Sequence, residues 1–434
     1  MNLFLFFTSF ILTIVSYGKS KFSVFAMIFI LFINIFLILT NFSSIQKIFR
    51  RCQHVLLILI LLFLFLLVIS ILRTNNETTL VWKILYGSRL LFFTFGTMGV
   101  FSSLLMKNKL NFSRNVFHYL ILPSSIFIII NFLFYVLSID PFSNMKSGNL
   151  IGNSVTFEAI FGFQIERPTF PLSVGINTFG IFVGAILILN LIFLIFYRLW
   201  DVKRLSSALF VGLFVFILFL LDTRSIIFGG FILLLCMLLL KLQVYKFLKV
   251  LFFGSLFFPI ILVFASFLIG ESDYLETIMR SKSDLLTGNN RFFIWAFVLE
   301  ELSSFKFMHL VGYGELGHYG SKLSYEWMDF FKFSYDSPEK AASSHNTILQ
   351  LILDTGYVGL VIYLAIIYKS FHHNLKLWKQ SGSFFNLIIP FFIIYINIVG
   401  TTEAYFTDLA SIVVFFLIML FGLIFNNSYE TKNH

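Results

Sequence analysis

Apolar runs long enough to cross, or nearly cross, the ~30 Å hydrocarbon core of a bilayer recur along this chain about twelve times. They fall at 2–17, 23–40, 55–72, 84–106, 117–138, 174–197, 205–222, 225–240, 248–269, 347–368, 384–400 and 407–425. Only 12% of the 434 residues are charged and 59% are hydrophobic, whereas a soluble domain carries about 25% charged residues. The expected fold is therefore an all-α polytopic membrane protein of about 12 transmembrane helices, with a large external loop domain containing short helices. Five segments follow: transmembrane helices 1–5 in 1–138, a first external loop in 139–173, helices 6–9 in 174–269, a large external loop in 270–346, and helices 10–12 with a tail in 347–434. The first run has no basic residue before it and no small-residue cleavage site, so it reads as a retained span rather than a signal peptide. Cys52 and Cys236 enter apolar runs, which argues against a disulfide framework.

Lys and Arg orient the bundle, because they concentrate in short cytoplasmic loops. One set of alternate connections holds Lys47, Arg50 and Arg51; Lys107, Lys109 and Arg114; Arg198, Lys203 and Arg204; Lys241, Lys246 and Lys249; and Lys369, Lys376 and Lys379. With Lys432 in the tail, that side has 16 basic residues, against 7 in the short loops and the 139–173 segment opposite. Both termini are thereby placed in the cytoplasm. The net charge of +10 follows from topology, and no nucleic-acid partner is expected.

The same partition puts 139–173 and Gly270–Ser344 on one external face. The second is 75 residues long, far beyond what joins two helices, and too apolar to read as disordered. Its stretch Arg291–Met308 resembles a helix lying at the membrane surface. A channel seldom needs such a cap; an active site assembled above the bilayer does.

Four external side chains stand out. Arg167 lies in ERPTFPLSVGINTFG, Arg224 in the tight turn LDTRSIIFGG, and Arg291 in TGNNRFFIW. A guanidinium presents a planar, permanently charged fork that matches phosphate oxygens, although a cation near a span end also serves as an interfacial anchor. His345 stands in SSHNTILQLILDTGYVGL, where Ser344 or Asn346 can cap the following helix. An imidazole there can take a proton from a hydroxyl near neutral pH, or act only as a polar residue at a helix entrance. Gly356 and Gly359 thin the same helix for close packing.

No Asp-x-Asp pair, GxxxxGK[ST] loop, G-x-S-x-G elbow or HExxH helix occurs, so no metal and no cofactor is expected. A reaction on the outer face without ATP must carry its energy in the donor. A pyrophosphate-linked lipid is such a donor, and arginines are its natural partners.

In order, the chain shows R-x(n)-N-x-x-G (Arg167, Asn177, Gly180), a Thr223-Arg224-Ser225 turn, T-G-x-x-R-x-x-x-W (Thr287, Gly288, Arg291, Trp295), Gly312-Tyr313-Gly314, H-N-x-x-L (His345, Asn346, Leu349), G-x-x-G (Gly356, Gly359), and Thr402-Glu403. Over residues 160–410 this pattern resembles the O-antigen ligase and O-antigen polymerase superfamily. Its turn departs from the more usual Ser-Arg-Gly. The resemblance implies metal-independent glycan transfer from an undecaprenyl-pyrophosphate-linked donor to a glycan acceptor, on the outer face of the bacterial inner membrane. Arg224 and Arg291 would hold the pyrophosphate, and His345 would activate the acceptor hydroxyl. Arg167, Asn177, Trp295, Asn346 and Glu403 would line the substrate site. Membrane lipid and a chain-length regulator protein are the further implied partners. A polymerase of O-antigen or capsular repeats is favoured over a ligase acting on the lipid A core. The reading from another class is a lipid-linked oligosaccharide flippase; it predicts charges deep within spans, where Arg89 is almost the only such residue, and leaves the long loop unexplained.

Overall fold

The computed structural model describes residues 2–16, 21–51, 54–74, 79–107, 112–142, 154, 157–158, 162–173, 175–196, 202–240, 247–258, 291–331 and 343–430. Thr287, Gly288, Cys52 and much of the 139–173 loop lie outside them. The architecture is helical, and an apolar helix occurs at each of the twelve expected places. They are α1 (Asn2–Ile14), α2 (Lys21–Thr40), α4 (His54–Arg73), α5 (Leu80–Met106), α6 (112–136, with a π-helical turn over Phe117–Ile121), α7 (Ile176–Phe196), α8 (Val202–Leu221), α9 (Arg224–Leu240), α10 (Phe247–Phe258), α13 (Thr347–Ser381), α14 (Ile388–Val399) and α15 (Leu409–Glu430). Among the described residues, seven of the twelve are long and apolar enough to cross a bilayer. The protein is polytopic, with Phe25, Phe29, Phe32 and Leu39 of α2 facing outward, as lipid contact requires.

One connection is more ordered than its composition announces. The basic segment after α2 forms α3 (Phe42–Arg51), which buries Ile45 and Ile48 and exposes Lys47 and Arg50. Apolar residues three apart among polar neighbours are the signature of such an amphipathic turn. The expected surface helix over Arg291–Met308 also forms, but breaks at 304–306 into α11 (Arg291–Ser303) and α12 (Phe307–Val311). α11 buries Ile294, Trp295 and Val298 against Trp327 and Leu353, forming a second, smaller core.

The loops gather at one end of the bundle. Ser16 N–H donates to Leu172 O at 2.9 Å, Arg73 donates to Gly312 O at 2.8 Å, and Glu315 N–H reaches Ser70 O at 2.9 Å. That end, the loop face, thus collects the connections that the charge pattern groups together.

α13 is a helix in two arms. Gly356 has φ +73°, ψ −177°, a conformation only glycine adopts readily, and a Cβ there would overlap the Leu310 carbonyl of α12. Gly312, at φ +75°, meets the Asp354 backbone in the same way. These close approaches let Tyr313 N–H donate to Leu353 O at 2.7 Å and Gly314 N–H to Asp354 O at 3.1 Å. The 357–381 arm runs away from the loop face, and the 347–355 arm starts deep and rises toward it. Asp354 O accepts from Ser70 Oγ near the loop end of α4, whereas Thr347 bonds Tyr405 N, beside Phe406. The Phe406 ring stacks edge-on to Phe63 at 5.4 Å and to Tyr363 at 5.4 Å. Phe63 and Ser70 are seven residues apart on α4, about 10 Å along a helix axis. The entrance of α13 is therefore sunk beneath the loop face.

Candidate functional site

At the sunken entrance, three consecutive residues grip the turn between α14 and α15. Asn346 caps α13: its Oδ1 accepts from Ile348 N and Leu349 N at 3.0 Å each, and its Nδ2 donates to Thr401 O at 3.1 Å. Thr347 N–H donates to Gly400 O at 2.7 Å, and its hydroxyl donates to Glu403 O at 2.9 Å. His345, at φ +47°, sends its ring across the same turn. Its Nδ1 lies 3.5 Å from Glu403 Oε2. H-N-x-x-L and Thr402-Glu403, far apart in sequence, form one unit.

Glu403 is the centre of this unit. Its Oε1 accepts from Arg291 Nη2 at 2.6 Å and from Asn177 Nδ2 at 3.1 Å. The side chains of Glu403, His345 and Arg291 are 8%, 11% and 20% exposed, so the cluster is largely withdrawn from solvent. Burial pushes the Glu403 carboxyl upward, but the Arg291 guanidinium, with His345 and Asn177, outweighs it and holds the group below its ordinary value.

The Asp222-Thr223-Arg224 turn is attached to the same site through α7. Asn177 and Gly180 sit one turn apart on that helix. Asn177 takes Glu403, and a Cβ on Gly180 would stand 2.7 Å from Thr223 Cγ2. The spacing N-x-x-G thus docks one helix end on both functional turns. Arg224 Nε pairs with buried Asp222 at 3.2 Å and keeps its side chain 39% exposed. Arg167 reaches the same turn, donating from Nε to Leu221 O at 2.9 Å. Residues 209–364 match the O-antigen ligase family. The matched segment begins in α8 and ends in α13, containing Arg224, Arg291, Trp295, His345 and Asn346. The match supports the O-antigen ligase and polymerase superfamily, and with it glycan transfer of the ligase or polymerase type. It covers about a third of the chain and leaves Arg167, Asn177 and Glu403 outside. No curated protein matches the chain.

Trp295 is 6% exposed and donates from Nε1 to Ser344 O at 3.0 Å, so it touches the segment carrying His345. His309 and His318 are buried elsewhere in the loop domain. The His309 ring lies 3.3 Å from Glu301. Glu301 also accepts from Lys306 at 2.5 Å and from Tyr313 at 3.2 Å. Two polar residues of α13 escaped the sequence reading. Gln350 and Asp354 lie within an apolar run counted as a span, and both are buried. The (i, i+4) spacing of an amide and a carboxylate on one helical face was the available signal.

Proposed function

We propose that this protein polymerises O-antigen or capsular repeat units, transferring glycan from an undecaprenyl-pyrophosphate-linked oligosaccharide on the outer face of a bacterial inner membrane. The loop face is then external and both termini are cytoplasmic, as the basic loops argue. The observation that carries the reading is the carboxylate of Glu403 shared between a guanidinium and an imidazole at a buried helix entrance.

The chemistry follows from that geometry. The acceptor hydroxyl attacks the anomeric carbon of the donor. Its proton passes to His345, and the bond from that carbon to the pyrophosphate oxygen breaks. Glu403, beside Nδ1, orients the ring and stabilises the imidazolium that forms. Arg291 gives one N–H to Glu403 and has other donors to offer phosphate oxygens. Arg224, at the neighbouring turn, supplies a second fork for the charge developing on undecaprenyl pyrophosphate. The leaving group is met by arginines, so no metal is assigned a step. Asn177, Asn346, Arg167 and Trp295 line or support the site, and a chain-length regulator is the proposed protein partner.

Mass analysis of lipid-linked glycans from a deletion strain tests the reading. Accumulated single repeats are expected. Long chains left on the carrier, unattached to lipid A core, identify a ligase instead; an unchanged glycan profile would overturn both readings.

A further inference from the structure

His345 is held in a backbone conformation that an L-residue enters only at a cost, and the neighbouring peptide units are clamped from two directions. Ser344 N–H donates to Gln350 Oε1 at 3.1 Å. Ser344 C=O accepts from Trp295 Nε1 at 3.0 Å. Both partners are buried. A backbone N–H can only donate, so the Gln350 oxygen must face Ser344 and its amino group must face the other way. There Nε2 donates to Asp354 Oδ1 at 2.8 Å and to His318 Nδ1 at 3.0 Å. Asp354 Oδ1 also accepts from Gly317 N–H at 2.7 Å. One amide thus joins the docked 317–318 segment of the loop domain to the residue before His345.

We infer that Gln350, together with Trp295, is a positioning residue for His345. The pair fixes the Ser344 peptide so that His345 keeps its left-handed backbone and its ring stays against Glu403. The amide of Gln350 makes that placement conditional on the loop segment 312–318 being docked on α13. Neither side chain need touch substrate. Releasing Ser344 lets φ of His345 return to the negative region, which redirects its Cβ and withdraws the ring from Glu403. The inference rests on His345 acting as the general base.

The test uses full-length protein in detergent or liposomes and an undecaprenyl-pyrophosphate-linked oligosaccharide purified from cells lacking the protein. Gln350→Met keeps the side-chain length and removes the clamp. Trp295→Phe removes the other hold without touching Asp354 or His318, and decides the matter if Gln350→Met does not fold. Each variant is expected to lower kcat about tenfold or more with the donor KM nearly unchanged. In a His345→Ala background, assayed with imidazole added to supply the missing base, each should cost less than about twofold, because a diffusible base needs no positioning. An unchanged kcat in the native background overturns the inference. So does an equal loss in both backgrounds, or a rise in KM in place of the fall in kcat. Near wild-type transfer by His345→Ala without imidazole overturns the general-base reading and this inference with it, and is recognised before any clamp variant is made.

Discussion

Arg291 and His345 approach opposite oxygens of one carboxylate: the guanidinium is 2.6 Å from Glu403 Oε1 and the imidazole 3.5 Å from Oε2. The arginine opens α11 and the histidine precedes α13, with a long stretch of loop between them. Glu403 therefore sets where a phosphate-binding group stands relative to a proton acceptor. Removing a carboxylate from such a site leaves a buried cation without its counter-charge, which is costlier than losing an exposed pair.

Glu403→Gln should accordingly lower turnover about a hundredfold, on the order of 3 kcal/mol, since the amide cannot stabilise an imidazolium. The same substitution has a pH signature. A carboxyl held below its ordinary value in the folded protein contributes stability that is present above the unfolded value of about 4.3. That stability is lost as pH falls through the lower folded value. Thermal unfolding of solubilised protein from pH 6 to pH 3.5 should show wild type losing more stability than Glu403→Gln. Parallel losses would show that the carboxylate is not so held.

Arg291→Lys and Arg224→Lys separate charge from shape. Lysine retains the attraction but not the planar fork. Arg291→Lys should lower transfer about a hundredfold, because one guanidinium must serve Glu403 and phosphate together. Arg224→Lys should act mainly through a raised donor KM, given its greater exposure. Full transfer by both proteins, at matched amounts in reconstituted vesicles, would remove the pyrophosphate assignment.

The helices were legible because apolar length and basic loops are properties of contiguous sequence. The contiguous sequence also carried Asn177, Arg224, Arg291, His345 and Glu403 as members of short motifs. What could not be read was how they meet. Asn177 and Gly180 look like one weak motif, yet they reach two different turns. α13 looks like one long span, but Gly356 makes it two arms, because the contact that demands its positive φ comes from Leu310, 46 residues earlier. Gln350 and Asp354 were hidden for the same reason: their partners Ser344, His318 and Gly317 belong to a loop whose path no periodicity dictates. α3 is the reverse case: its pattern is local, with Ile45 and Ile48 buried and Lys47 and Arg50 exposed, and the same charges that orient the bundle also form the helix's polar face.

Gly356→Ala should be among the most damaging small substitutions. The new methyl meets the Leu310 carbonyl, and the backbone angle is one that alanine resists, at a cost of roughly 1–3 kcal/mol before any clash. Lower melting temperature and increased proteolysis within 307–317 are the expected results. Gly382→Ala provides the contrast: its φ is also positive, +65°, but nothing crowds a Cβ there. Equal melting temperatures for the two variants would show that the α12 contact does not govern the break.

Sidedness is open to direct labelling. Cysteine at Ser304, exposed on the loop domain, and cysteine at Lys107, exposed at the far end of α5, should respond oppositely to an impermeant maleimide in intact spheroplasts, with Cys52 and Cys236 replaced. Ser304→Cys should label at once and Lys107→Cys only after the membrane is opened. The reverse pattern would place the loop face in the cytoplasm and abolish the proposed encounter with an outer-face donor.

The three histidines of the loop domain offer the sharpest comparison, because all are largely buried and only one meets Glu403. His345→Ala should reduce transfer by about 10²–10⁴-fold while donor lipid still binds, since the arginines remain. Added imidazole should restore part of the rate. His309→Ala loses a hydrogen bond to Glu301, which should lower thermal stability by about 1–2 kcal/mol with kcat little changed and no response to imidazole. His318→Ala removes the acceptor beside Gln350 Nε2 and should fall between them, slowing transfer modestly through the Ser344 clamp. Rates, melting temperatures and imidazole response measured together assign each role. A His345→Ala protein that transfers at the wild-type rate would return the hydroxyl proton to another group, Glu403 first among them, and the histidine would then be a structural partner of that carboxylate.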